Sequence, residues 1–193
     1  TAAGGTVTSG SGTSSRPGGA SVPGNLKTNG SANVNTPLLH EGSLTIANVK
    51  LNTANSYHGE TIVTGTSEIN NVGGLGTSPT VRIKNNGTFT LNVLPNSVPA
   101  YVVEKGTLTV ANFAQPLTNS ITLGGMGDAT LTGAATYNGP IQLVSTGISN
   151  PRISEGAING SISANANLTL GTVTLISANN IGGRVQNGVV NVN

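Results

Sequence analysis

Short runs that alternate apolar residues with Thr, Ser or Asn, each closed by Gly or Asn, fill this sequence from Leu38 onward. Successive side chains of an extended chain point to opposite faces, so an apolar residue at every second position marks a strand with one buried side. The clearest runs are 43–51, 60–69, 80–84, 88–94, 101–104, 107–112, 120–123, 129–133, 140–145, 157–163, 168–176 and 184–193. Helical spacing is missing: no twelve-residue window carries apolar groups at i, i+3, i+4 and i+7 without a Gly or Pro. The pattern predicts an all-β chain.

Composition narrows the class. Only 7% of the 193 residues are charged, against roughly a quarter in ordinary globular domains. Ser, Thr and Asn take over as the solvated groups, which suits outward strand positions and turns. The net charge is +2, and Arg16, Lys27, Lys50, Arg82, Lys84, Lys105, Arg152 and Arg184 are scattered. Phosphate recognition needs clustered cations, so nucleic acid is not expected as a partner. Cysteine is absent, which removes disulfides and thiolate metal sites. The apolar stretches, such as 98–103, are far shorter than the roughly 20 residues a membrane helix needs, so no membrane insertion by this chain is expected. Beginning at Thr1 without a signal-like segment, the chain reads as a processed mature form or an excised fragment of an exported protein.

Residues 1–36 hold almost no bulky apolar groups and resemble a Gly/Ser/Thr-rich arm. Packing against another subunit is the expected source of order there, and residues 37–193 are expected to form one all-β domain. Two architectures compete for it. Asn-Gly pairs at Asn86-Gly87, Asn138-Gly139, Asn159-Gly160 and Asn187-Gly188 favour tight hairpins, and so an antiparallel sandwich or jelly roll. Against them stands a recurrence. GSLTIAN from Gly42, GTFTLNV from Gly87, GTLTVAN from Gly106 and DATLTGA from Asp128 share a core of Gly or Asp, any residue, apolar, Thr, apolar. The last three begin 19 and 22 residues apart. A period near twenty is the length of one rung of a parallel β-solenoid, which is therefore favoured.

Two segments carry a family likeness. Residues 44–65 read LTIANVKLNTANSYHGETIVTG and residues 131–147 read LTGAATYNGPIQLVSTG. Both place an apolar residue and Thr before Tyr-x-Gly and an apolar-rich strand. This resembles the passenger-associated repeat of bacterial autotransporters, roughly GTLTLSGANTYTGxTxV, with Leu131, Thr132, Gly133, Ala134, Tyr137 and Gly139 matching in the second copy. The first copy has a longer insertion before its Tyr. Tyr57 and Tyr137 lie 80 residues apart, close to four rungs. The resemblance covers about a third of the chain and implies a right-handed parallel β-helix displayed on a Gram-negative surface.

Groups able to titrate are few: Glu41, Glu60, Glu68, Glu104, Asp128, Glu155, His40 and His58. His40-Glu41 and His58-Gly59-Glu60 are the acid/base neighbours. Residues i and i+2 of a strand share a face, so His58 and Glu60 are the candidate dyad, with a surface pair beside a turn the weightier reading. A metal held by His40 and His58 would require neighbouring rungs to bring them together; the thin ligand set argues against it. Carbohydrate-active β-helices use paired carboxylates, which six scattered acids do not supply. Neither catalytic residues, nor a metal, nor a cofactor are therefore expected. Sequons stand at Asn29, Asn86, Asn159 and Asn167.

Strand edges template further strands unless charges, Pro or caps block them. The run RVQNGVVNVN from Arg184 alternates Val185, Val189 and Val192 with polar residues and has no acidic gatekeeper. These valines are the candidate assembly residues. The sequence thus points to an extracellular or cell-surface structural protein or adhesin. It is expected to self-associate into a homo-oligomer or filament, with surface glycans as further partners. A polysaccharide-processing β-helix enzyme and a viral capsid or spike module are the alternatives.

Overall fold

The computed structural model describes residues 2–3, 6–9, 26–29, 31–35, 37–39, 42–144, 150–164, 168–175, 180–181, 185–187 and 190–192. Among them there is no helix. The chain divides into two compact units, Thr1–Pro99 and Ala100–Asn193. Each is a parallel β-solenoid, and strands are numbered below in chain order.

In the first unit the chain alternates between two sheets. Sheet 1B takes β3 (Leu26–Asn29), β5 (Leu44–Ile46), β7 (Thr61–Val63) and β9 (Thr80–Ile83). Sheet 1A takes β4 (Ala32–Val34), β6 (Val49–Leu51), β8 (Thr66–Ile69) and β10 (Gly87–Leu91). Every turn of the coil adds one strand to each sheet, and paired residues lie 17 to 22 positions apart. All these pairings are parallel. The antiparallel pairs among the described strands are β1 (Ala2–Ala3) with β4 and β2 (Thr6–Ser9) with β3.

The second unit repeats the plan. Sheet 2B holds β11 (Ala100–Val103), β13 (Ile121–Gly124), β16 (Ile141–Val144), β18 (Ile162–Ala164) and β20 (Asn180–Ile181). Sheet 2A holds β12 (Gly106–Val110), β14 (Ala129–Thr132), β17 (Arg152–Ile158), β19 (Leu168–Leu175) and β21 (Val185–Asn187). The short strand β15 (Thr136–Tyr137) pairs with β17, and β22 (Val190–Val192) pairs with β19.

Parallel register places equivalent residues above one another, so each core is a set of apolar columns. Val34, Leu51, Ile69 and Leu91 form one column of sheet 1A, and Ile46, Val63 and Ile83 one of sheet 1B. In the second unit, Leu108, Leu131, Ile153 and Leu170 stack in 2A, and Tyr101, Ile121, Ile141 and Ile162 in 2B. All are at most 2% exposed. Burial of each such side chain contributes about 1.5–3 kcal/mol. Polar intrusions in the first core are satisfied. Thr61 sits between Leu44 and Val81 in its column, where its hydroxyl is bonded to the Tyr57 hydroxyl at 2.8 Å and donates to Ser78 Oγ at 3.0 Å.

The Asn-Gly pairs do not make hairpins. Asn85 and Asn86 both adopt positive φ, 55° and 62°, and turn the chain from β9 in sheet 1B to β10 in sheet 1A. Asn138-Gly139 and Asn159-Gly160 stand one rung apart at corresponding corners, where Asn159 Nδ2 donates to Asn138 Oδ1 at 2.9 Å. Glycine is required there by close approach: a Cβ on Gly139 would lie 2.0 Å from the Asn119 carbonyl oxygen. Gly188 lies outside the described residues. The antiparallel sandwich is thereby replaced by the solenoid, because a left-handed Asn followed by Gly serves a solenoid corner as readily as a hairpin.

Several sequence runs divide at such corners. The runs 43–51 and 60–69 each become two strands in different sheets, β5 with β6 and β7 with β8, and 157–163 is cut at Asn159-Gly160. The recurrence starting at Gly42 is out of phase, since its strand β5 lies in sheet 1B whereas the Gly87 copy lies in 1A. The described strands of residues 1–36 pair within the chain, and β3 and β4 are rungs of the first solenoid. The solenoid therefore begins before residue 37, and intrachain main-chain pairing orders these strands.

Sheet 1A ends each rung on an asparagine. Asn52 Nδ2 donates to Asn35 Oδ1 at 2.8 Å, Asn70 to Asn52 at 2.8 Å, and Asn92 to Asn70 at 2.7 Å. The chain of amides runs in one direction and ties four rungs. Asn70→Ala removes a middle link and strands a neighbour on each side; we expect unfolding to cost about 1–2 kcal/mol less, read from urea titration monitored by far-UV circular dichroism.

Candidate functional site

His58 and Glu60 are each engaged one rung away. His58 Nδ1 is hydrogen-bonded to Thr77 Oγ1, and Glu60 Oε1 accepts from Arg82 Nε at 2.7 Å. The structure thus commits the two sequence candidates to different partners, and the arrangement is that of surface links between rungs. His40 and Glu41 lie outside the described residues. No group of three or more His, Asp or Glu side chains that could hold a metal occurs among the described residues. The two tyrosines of the repeat-like segments are core residues, Tyr57 fully buried and Tyr137 1% exposed. Tyr57 is bonded to Thr61, and Tyr137 donates to the Gly133 carbonyl at 3.1 Å. Burial raises both phenols well above their ordinary range, so they stay protonated as hydrogen-bonding struts.

The arrangement that composition and motif did not reveal is on the outer face of sheet 1A. Inward residues of its strands form the core columns, so their neighbours rise outward in two rows. Asn33, Lys50, Glu68 and Thr90 are paired in register across β4, β6, β8 and β10. Beside them stand Asn48, at the corner before β6, and Thr66. Between the rows runs a groove of about 480 Å³ whose floor is the strand backbone at Val49 and Ser67.

The rim of this groove is held in place. Lys50 Nζ lies 2.9 Å from Glu68 Oε1, and Asn70 Nδ2 donates to the same oxygen at 3.0 Å. The Asn70 hydrogen bond, then Lys50, keep the Glu68 carboxyl below its ordinary value near 4.5. Asn48 is fixed with φ 58° and its Oδ1 accepts from the Thr66 N–H at 3.1 Å. Ser67 Oγ turns inward and accepts from the Val49 N–H at 3.1 Å. Lys50 and Glu68 stand 18 residues apart and no nearer-neighbour pattern links them, so only the rung register brings them together.

The assembly candidates fall on two strands. Val185 lies in β21 opposite Leu168, and Val192 lies in β22 opposite Leu175; Val189 is outside the described residues. Rather than one continuous run, 184–193 supplies two short strands that both pair with β19. Of the sequons, Asn86 is exposed in its corner turn, Asn159 is half-buried and its amide is spent on Asn138, Asn29 lies in β3, and Asn167 is outside the described residues.

No protein-family model, curated protein or solved structure matches the chain. What the site can do is therefore read from its geometry.

Two outcomes follow from these contacts. A carboxyl whose folded pKa is depressed contributes stability above its unfolded pKa, and that contribution disappears as pH falls through the folded value. Wild type should therefore lose more stability than Glu68→Gln between about pH 6 and about pH 3, measured by urea titration at each pH. Expression in a host that N-glycosylates exported chains should modify Asn86 and leave Asn159 bare, as read by peptide mass spectrometry.

Proposed function

We propose that this chain is an extracellular structural and adhesive protein that self-associates through strand edges into a filament or surface assembly. The observation that carries this reading is the edge formed by β20, β21 and β22. Among the described residues each pairs in parallel along one side only, with β18 or β19. Their outer main-chain groups match those that every inner rung offers to the next, so a second copy finds the same parallel template. Residues 185–192 carry no charge to oppose such an approach.

The solenoid fold supports the likeness to autotransporter passengers, in which a stacked coil displays side chains on a cell surface. A non-catalytic role is favoured by the commitments of the titratable groups. His58, Glu60 and Glu68 are each tied to a neighbouring rung, where they serve the stack and do not converge on a reacting centre. Low charge and abundant Thr, Asn and Gly suit an exported surface.

Proline scanning of the edge tests this. Adjacent residues of a strand direct their N–H groups to opposite sides, so of Gln186→Pro and Asn187→Pro one leaves the β19 pairing intact and blocks the outer edge. Light scattering after gel filtration should find concentration-dependent polymers of wild type and their loss in that variant with an unchanged dichroism spectrum. Polymers of equal size from both variants would sink the edge reading.

A further inference from the structure

We infer that the groove on the outer face of sheet 1A is a binding site for a neutral glycan strand lying along the solenoid axis. The inference deepens the adhesive part of the proposed function and is independent of its assembly part, since the groove belongs to the first unit and the edge to the second.

The lining decides the ligand class. Its volume, about 480 Å³, falls within the range of small-molecule sites, but those are mostly apolar with a few polar groups. Here the rim is polar throughout: Asn33, Asn48, Lys50, Thr66, Glu68 and Thr90. The apolar lining residues Ala32 and Val49 point into the core and are at most 4% exposed, so an apolar peptide side chain finds nothing to fill. A polyanion is disfavoured as well, because the one cation of the rim is matched by Glu68 at 2.9 Å. An uncharged chain of vicinal hydroxyls suits a rim that alternates amide, ammonium, carboxylate and hydroxyl groups. The carboxylate accepts from adjacent sugar hydroxyls, and the Asn33 amide and Lys50 ammonium donate to their oxygens.

Pre-organisation supports the same assignment. Weak polar binding is usually eroded by the ordering of flexible side chains. In this groove Glu68 is held from two sides, by Lys50 and Asn70, and Asn48 by the Thr66 N–H. Rungs stand roughly 4.8 Å apart, so the row from β4 to β10 spans about 14 Å. That is room for a short oligosaccharide running across the strands, with one polar side chain per rung.

Affinity electrophoresis of the full chain tests the assignment, in native gels containing hydroxyethyl cellulose, mixed-linkage β-glucan, galactomannan or heparin. Lys50→Ala/Glu68→Ala keeps the net charge, and so the mobility without glycan. We expect at least one neutral polymer to retard wild type and the double variant to bind it about tenfold more weakly, the loss of one charge-assisted contact. Thr90→Ala and Asn33→Ala, which leave the Lys50–Glu68 pair intact, provide the same comparison should the double variant lose its dichroism spectrum. Retardation by heparin alone, no retardation by any neutral polymer, or equal retardation of wild type and variants would overturn the inference. Polymers persisting under any of these outcomes would leave the edge reading standing while the groove reading fails.

Discussion

Everything else in this protein depends on main-chain hydrogen bonding from one rung to the next. A strand of three to five residues buries too little to hold itself, but a strand bonded on both sides gives up none of its donors or acceptors to solvent. Parallel pairing then imposes a second condition. Each rung must present its apolar residue at the same place as the one below, because the neighbour is directly above it at the inter-strand distance. The columns through Val34, Leu51, Ile69 and Leu91, and through Leu108, Leu131, Ile153 and Leu170, are the outcome.

The same condition acts on the outside. Side chains on successive rungs stand at one spacing whether or not they attract each other, so like residues must be ones that tolerate their own kind. Asparagine does, since its amide both donates and accepts, and the series from Asn35 to Asn92 uses this in one direction. Threonine tolerates itself too, as in Thr107 over Thr130. Charged residues would repel if stacked, and where they occur on paired strands they alternate in sign, Lys50 with Glu68 and Glu60 with Arg82. Only 7% charge is thus a consequence of repetition as much as of environment. The polar groove and the unmatched outer strands are two further consequences of the same stack.

How much was legible differs between fold and site. The all-β class followed from the period-two alternation, and the rung length from the recurrence between Gly87 and Asp128. Corners were not legible. Ala47-Asn48 turns the chain in two residues without Gly or Pro, so 43–51 reads as one strand. The Asn ladder did leave a trace: ANVN, VKLN, SEIN and FTLN each end on the ladder residue after an alternating triplet, at Asn35, Asn52, Asn70 and Asn92. Aligning on that terminal Asn would have set the rungs of the first unit. The alignment on Gly-x-apolar-Thr instead mixed strands of the two sheets. His58 and Glu60, close in sequence, proved to belong to different links, because in a solenoid the nearest side chain is usually one rung away.

By itself the sequence determined that this chain makes short strands, that one face of each is buried, and that its Asn-Gly pairs turn the backbone sharply. These are local properties, set by side-chain alternation and backbone sterics within a few residues. Whether a turn returns the chain antiparallel or carries it to a second sheet is decided by what each strand pairs with 17 to 23 residues away. Partner choice also decides which outward groups meet, and so whether Lys50 and Glu68 are isolated charges or the two sides of a groove. Only the tertiary structure contains that information, because register between rungs of unequal length is set by the best common packing of the core columns and not by any single rung.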